Sequence, residues 1–96
     1  MNQEILFDVD GTLITFDERP RWDIIEILKI LKKLGARITV ASGGGKDYAE
    51  MWVRRLFLEE FVDTVMAKPI GLKYPMVDIA FDDEEAANFG VVNIKV

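Results

Sequence analysis

Short, almost wholly apolar runs recur along this chain, and the first three are separated by stretches with helical periodicity. The runs are "EILFDV" (residues 4–9), "RITVAS" (37–42), "VDTVMAKP" (62–69), "MVDIAF" (76–81) and "VVNIKV" (91–96). A strand with one wet face alternates polar and apolar residues. Runs this uniformly apolar suit strands buried on both faces, as in a parallel sheet. Between the first two runs, Ile24, Ile25, Leu28, Leu31 and Leu34 form a helical stripe from Trp22 to Leu34, with Pro20 near its start and Gly35 placed to end it. Between the second and third, "GGGK" leads into a helix with Tyr48, Met51, Trp52 and Leu56 on one face. Strands that alternate with helices predict an α/β protein with a parallel sheet of about five strands.

The second half is sparser. "PIGLKYP" is too short and too rich in Pro and Gly to hold a crossover helix. "DEEAANFG" has room for about two helical turns, with Glu84 and Glu85 expected as first-turn acids that favour the helix dipole. One face of the sheet is therefore expected to be poorly covered. With 96 residues, the expectation is a single domain over residues 1–96 with one core.

Composition excludes several kinds of chemistry. The chain has no cysteine, so disulfides, thiolate zinc sites and thiol nucleophiles are ruled out. It has no histidine, which removes the commonest general base and the commonest transition-metal ligand. Proton transfer falls to Asp, Glu, Lys or Tyr. A net charge of −5 argues against broad electrostatic binding to nucleic acid or anionic lipid. "MNQEILFD" lacks a basic stretch followed by a long apolar run, and no segment is long enough to span a bilayer, so a cytoplasmic location is the default expectation.

Four strands end in residues that carry chemistry. Asp8 and Asp10 follow the first, Ser42 and Gly43 the second, Lys68 the third, and Asp82 and Asp83 the fourth. In open parallel sheets ligands sit outside the carboxyl ends of the strands, so these residues are expected to converge on one crevice. Two unpaired carboxylates at a buried strand end are costly unless a counter-charge or water meets them. Acids from two strands, a hydroxyl beside exposed N–H groups and one lysine suit a phosphate bound with Mg²⁺, which takes a few carboxylates plus water and phosphate oxygens.

Other readings of these stretches are weaker. "DVDGTL" is a poor calcium loop, because Thr12 and Leu13 occupy the positions where an EF-hand needs an oxygen ligand and a glycine. "GGGK" is not a P-loop, since Asp47 follows the lysine where Ser or Thr is required. Ser42 taken alone is more often a turn or cap residue, but its place after a strand favours a phosphate ligand.

The ordered set resembles the haloacid dehalogenase-like hydrolase superfamily, whose signature opens with DxDGT and an apolar residue, here "FDVDGTL". The resemblance spans Asp8 to Asp83 and implies a Rossmann-like, three-layer α/β core and a Mg²⁺-dependent phosphatase. By that resemblance, Asp8 is the nucleophile that becomes an aspartyl phosphate, and Asp10 is the acid that protonates the leaving group and then activates water. Ser42 and the N–H of Gly43 hold phosphoryl oxygens, and Lys68 balances Asp8 and the phosphate. Mg²⁺ is held by Asp8, Asp10 (through its carbonyl), Asp82 and Asp83, with the order of the last two left open. Lys73, nearer the acidic pair, is the rival to Lys68.

Larger relatives carry a cap domain after the first or third strand. Neither connection here has room for one. An open site suits a phosphate presented by something large, such as a nucleic-acid end, a protein or a glycan. In this superfamily the later connections cover the second face of the sheet, so the two short ones predict an exposed apolar face and a homo-oligomer or partner protein on it. The alternative function is a non-catalytic metal- or phosphate-binding module that regulates a partner.

Overall fold

The computed structural model describes residues 3–96. Its elements, in chain order, are β1 (Glu4–Asp8), α1 (Trp22–Lys33), β2 (Arg37–Ser42), α2 (Lys46–Arg55), β3 (Thr64–Ala67), β4 (Val77–Asp82) and β5 (Gly90–Lys95). The strands form one all-parallel sheet in the order β3-β2-β1-β4-β5, the Rossmann-like α/β arrangement that the alternating pattern predicts. No helix among the described residues is long and apolar enough to cross a membrane.

Both helices pack on one face. Ile5 and Phe7 of β1, Ile38 and Val40 of β2 and Phe81 of β4 meet Ile24, Ile25 and Leu28 of α1 and Ala49, Trp52 and Val53 of α2 in one buried cluster. α1 stops where its stripe does. The N–H of Gly35 donates to the Lys32 carbonyl (3.0 Å) and that of Ala36 to the Leu31 carbonyl (3.1 Å), a Schellman closure that turns the chain into β2.

Among the described residues the opposite face carries no helix, as its short connections require, so the sheet and its helices make two layers where the resemblance implies three. That face is thinly clad but not bare. Leu6, Ala41, Val77 and Ala80 are buried there beneath Met66, Met76 and Phe89. The N–H groups of Met76 and Val77 both donate to the Phe89 carbonyl (2.9 and 3.2 Å), so the links before and after β4 brace each other. Exposed apolar side chains gather further out, at Ile70 and Tyr74 in the link, while Val92 and Ile94 of the edge strand β5, in register with Ile79 and Phe81, stand exposed on the helix side.

Residues 83–89 form no helix, which corrects the expectation of first-turn acids at Glu84 and Glu85. Asp82 Oδ1 accepts the N–H of Glu84 (3.0 Å), and the Ala87 N–H closes a turn on the Glu84 carbonyl (3.3 Å). The Asp82 side chain thus forms an Asx-turn, and the chain completes one turn beyond it without going on into a helix. Glu84 consequently lines the cleft at the top of the sheet.

Candidate active site

Register places the first two acids side by side. Phe7 pairs with Phe81 across β1 and β4, and their rings stack with centroids 4.6 Å apart on the helix side. The next residues, Asp8 and Asp82, therefore end neighbouring strands together. Both are buried.

Lys68 follows β3. Its N–H donates to the Ser42 carbonyl (2.9 Å), which anchors the residue beside the end of β2. Its ammonium lies 2.9 Å from Asp8 Oδ1 and 2.8 Å from Asp82 Oδ2, over the Phe89 ring at 5.4 Å. Lys73, by contrast, sits exposed in the link. Burial pushes the Asp8 carboxyl up to about 7; its bond to Lys68 opposes the shift and the charge on Asp82 adds to it. Burial of Lys68 acts to lower its pKa, but the bonds to Asp82 and Asp8 prevail and raise it. The lysine stays charged.

The turn after β1 supplies the next groups. The N–H groups of Thr12, Leu13 and Ile14 all point at the Val9 carbonyl (3.2, 3.0 and 3.2 Å), winding the chain tightly behind Asp8. Thr12, fully buried, donates its hydroxyl to Asp8 Oδ2 (3.2 Å). Gly11 has φ +82°, and a Cβ there would lie 2.5 Å from Asp83 Oδ2. Only glycine lets Asp83 approach this turn. The space so kept brings oxygens of Asp8, Asp82 and Asp83 within 4.8 Å of one another, a hard-oxygen set suited to Mg²⁺. Asp83 lines the cleft with Asp8, while Asp82 lies beneath it, occupied by Lys68 and the Glu84 N–H.

Asp10 is half-buried, and its carboxylate does not join that cluster. Instead its Oδ1 accepts the hydroxyl of Tyr48, in the first turn of α2, at 2.7 Å. Burial first, and then this bond, raise the Tyr48 pKa, so the phenol keeps its proton. The two strand-end aspartates thus occupy different settings, one against an ammonium and one against a phenol.

Ser42 is buried, and its Oγ accepts the N–H of Gly44 (3.0 Å), the turn role open to it from sequence. Its own proton is left to donate. Gly43 and Gly44 line the cleft of about 270 Å³ together with Asp8, Asp10, Lys68, Asp83, Glu84, Phe16 and Phe89. Phe16 stands at its mouth, 78% exposed, on a loop closed by the Thr15 N–H to the Arg19 carbonyl (2.8 Å) and the Arg19 N–H to Thr15 Oγ1 (3.0 Å).

Every strand-end residue singled out from the sequence thus lies at this edge. The sequence reasoning missed Thr12, Tyr48 and Phe89. Thr12 had a signal, four residues beyond Asp8 in a tight turn. The other two reach the site only through folding, and nothing local marks them.

The profile of the haloacid dehalogenase-like hydrolases matches residues 5–65, from β1 into β3. The chain is also 49% identical over 41 residues to a Mycoplasma genitalium protein named "putative phosphatase". That match covers 43% of this chain and 15% of the relative, so the chain spans only a small part of that protein's length. No solved structure matches it significantly. Profile, sheet order and clustered strand ends agree, and the chain belongs to the haloacid dehalogenase-like hydrolases.

Proposed function

We propose that this chain is a Mg²⁺-dependent phosphatase that works through an aspartyl phosphate. The observation that carries the reading is the separation of two adjacent carboxylates. Asp8 is buried between Lys68 and Thr12, while Asp10 is turned away and bonded to Tyr48. A phosphoester hydrolysed in two steps needs one carboxylate as nucleophile and another as proton carrier.

Asp8, Asp83 and the Asp10 carbonyl would hold the cation, with Asp82 behind them. When bound, Mg²⁺ supplies the positive charge that keeps Asp8 ionised and neutralises phosphoryl oxygens. An oxygen of Asp8 attacks phosphorus as the ester P–O bond breaks and Asp10 delivers its proton to the departing oxygen. Water then attacks the aspartyl phosphate, Asp10 accepts its proton, and the bond to Asp8 breaks to release phosphate. Lys68 holds Asp8 in line, and Ser42 Oγ–H with the Gly43 N–H meets the phosphoryl oxygens.

The test is turnover of a phosphoester panel with Mg²⁺. Asp8→Asn should abolish it, because an amide is no nucleophile. Asp10→Asn should keep phosphate binding and slow turnover by about 10²–10⁴. Full turnover by Asp8→Asn would sink the reading. A wholly inactive wild type that still binds Mg²⁺ and phosphate would favour the regulatory binding module.

The cleft is open, and the connections after β1 and β3 are a closed loop and a short link. That favours a phosphate carried on a protein, a glycan or a nucleic-acid end. We also infer self-association along β5, where Val91 and Val92 are 72% and 53% exposed on an unpaired sheet edge. Sedimentation at micromolar concentration should show more than the 11.0 kDa monomer, and Val91→Asp should reverse it. A clean wild-type monomer would overturn this part.

A further inference from the structure

The glycine-rich stretch before α2 has no role as a P-loop, yet the structure gives one of its glycines a use. A Cβ on Gly44 would lie 3.0 Å from Tyr48 Cδ2 and 3.2 Å from Cγ. That is tighter than a side chain normally tolerates, so glycine here lets the phenol ring lie flat against the loop. From that position Tyr48 spans from α2 to the turn after β1 and donates its hydroxyl to Asp10 Oδ1 at 2.7 Å. The half-buried side chain also packs against the helix-side core. Its placement is therefore set by packing on one side and by the missing Cβ on the other.

We propose that Tyr48 is a positioning residue for the proton carrier Asp10. It occupies Oδ1, so that Oδ2 is the oxygen left for the leaving group and then for water. The assignment rests on the phosphatase reading and deepens it. Tyr48 touches no reacting atom. Its hydroxyl bond holds the Asp10 carboxylate apart from the acid cluster of Asp8, Asp82 and Asp83. In the first step the O–H bond of Asp10 Oδ2 breaks, the proton passes to the departing oxygen, and the new carboxylate keeps the Tyr48 hydrogen bond. In the second step the same oxygen takes a proton from water. One donor thus serves both directions of proton transfer without itself changing state.

The experiment compares wild type with Tyr48→Phe, which removes the hydroxyl alone and keeps the ring. Two substrates are used: 4-nitrophenyl phosphate, whose leaving group departs without a proton, and ethyl phosphate, whose leaving group requires one. The readout is kcat/KM, which reports phosphoryl transfer and not the later hydrolysis. A lost hydrogen bond to a charged group predicts about a tenfold fall for ethyl phosphate. For 4-nitrophenyl phosphate the change should stay within about twofold, and the Mg²⁺ affinity by calorimetric titration should be unchanged. Equal losses on both substrates, no loss on either, or weakened Mg²⁺ binding would each overturn the assignment. A wild type that turns over neither ester removes the phosphatase reading itself, an outcome distinct from all of these.

Discussion

The two ends of the sheet use acidic residues in opposite ways. At the amino edge, Asp63 takes the N–H of Ile38 at 2.8 Å and the Lys32 ammonium at 2.7 and 2.8 Å. Asp78 takes the N–H of Glu4 at 2.8 Å, and Arg37 lies 4.0 Å from Glu4. These carboxylates tie the starts of strands to their neighbours around a groove of about 470 Å³, and each has its own donor. At the carboxyl edge, Asp8, Asp82 and Asp83 cluster, and among the described residues Lys68 alone is ion-paired there, to Asp8 and Asp82. The amino edge is settled by the chain itself. The carboxyl edge is left short of positive charge, a deficit that a bound divalent cation would make up. The larger groove is thus structural, and the smaller cleft is where chemistry can occur.

The sharpest test of this contrast is Lys68. Lys68→Ala removes the one cation from two buried acids, which should lower turnover by about 10²–10³ and cost roughly 3–5 kcal/mol of metal-free stability. Lys73→Ala, in the exposed link, should change neither. Equal effects in kinetics and thermal melts would erase the distinction between the two lysines.

The pH response should have opposite signs at the two edges. Asp8 in the folded chain titrates near 7, above the ordinary 3.8, so protonation favours the folded state. Its contribution is full below about 4 and is lost as pH rises towards 7, on the order of a few kcal/mol in the absence of metal. For Asp63 partial burial favours the neutral form, but Lys32 and the Ile38 N–H outweigh it and hold its pKa below 3.8. Its contribution is present above that value and lost as pH falls through the lowered one. Melting temperatures in chelator should therefore fall from pH 4 to pH 7, a slope that Asp8→Asn flattens. Asp63→Asn should flatten only the loss at lower pH. Parallel curves for wild type and Asp8→Asn would break the comparison.

The smallest effect belongs to the amino edge. Asp63→Ala should cost about 1 kcal/mol, largely through the Ile38 N–H, because the pair with Lys32 is partly solvated and screened. For a domain this size that is about 4–8 °C in melting temperature. Turnover at a temperature where both proteins are folded should be unchanged. A kinetic defect there would mean that the two edges are coupled.

Much of this was legible in the primary structure for local reasons. Uniformly apolar runs separated by 3.6-residue stripes allow little besides a parallel α/β sheet, and five strands follow. Asp8, Asp10, Lys68, Asp82 and Asp83 were legible because each sits at the end of such a run, and parallel strands bring those ends to one edge. The 83–89 segment was misread because its composition permits a short helix, while the folded chain takes only an Asx-turn and one further turn before Phe89 braces Met76 and Val77.

By itself, then, the sequence determined the parallel α/β architecture, the edge where the strand-end residues gather and the identity of its acids, since hydrophobic periodicity and strand ends are properties of neighbouring residues. The tertiary structure alone decided the setting of each acid. The stacked Phe7 and Phe81 set Asp8 beside Asp82, the bend at Gly11 admits Asp83, and the Gly44 surface lets Tyr48 draw Asp10 aside. Tyr48 lies 38 positions from Asp10 along the chain, and a hydrogen bond over that separation exists only once register and packing have placed both groups.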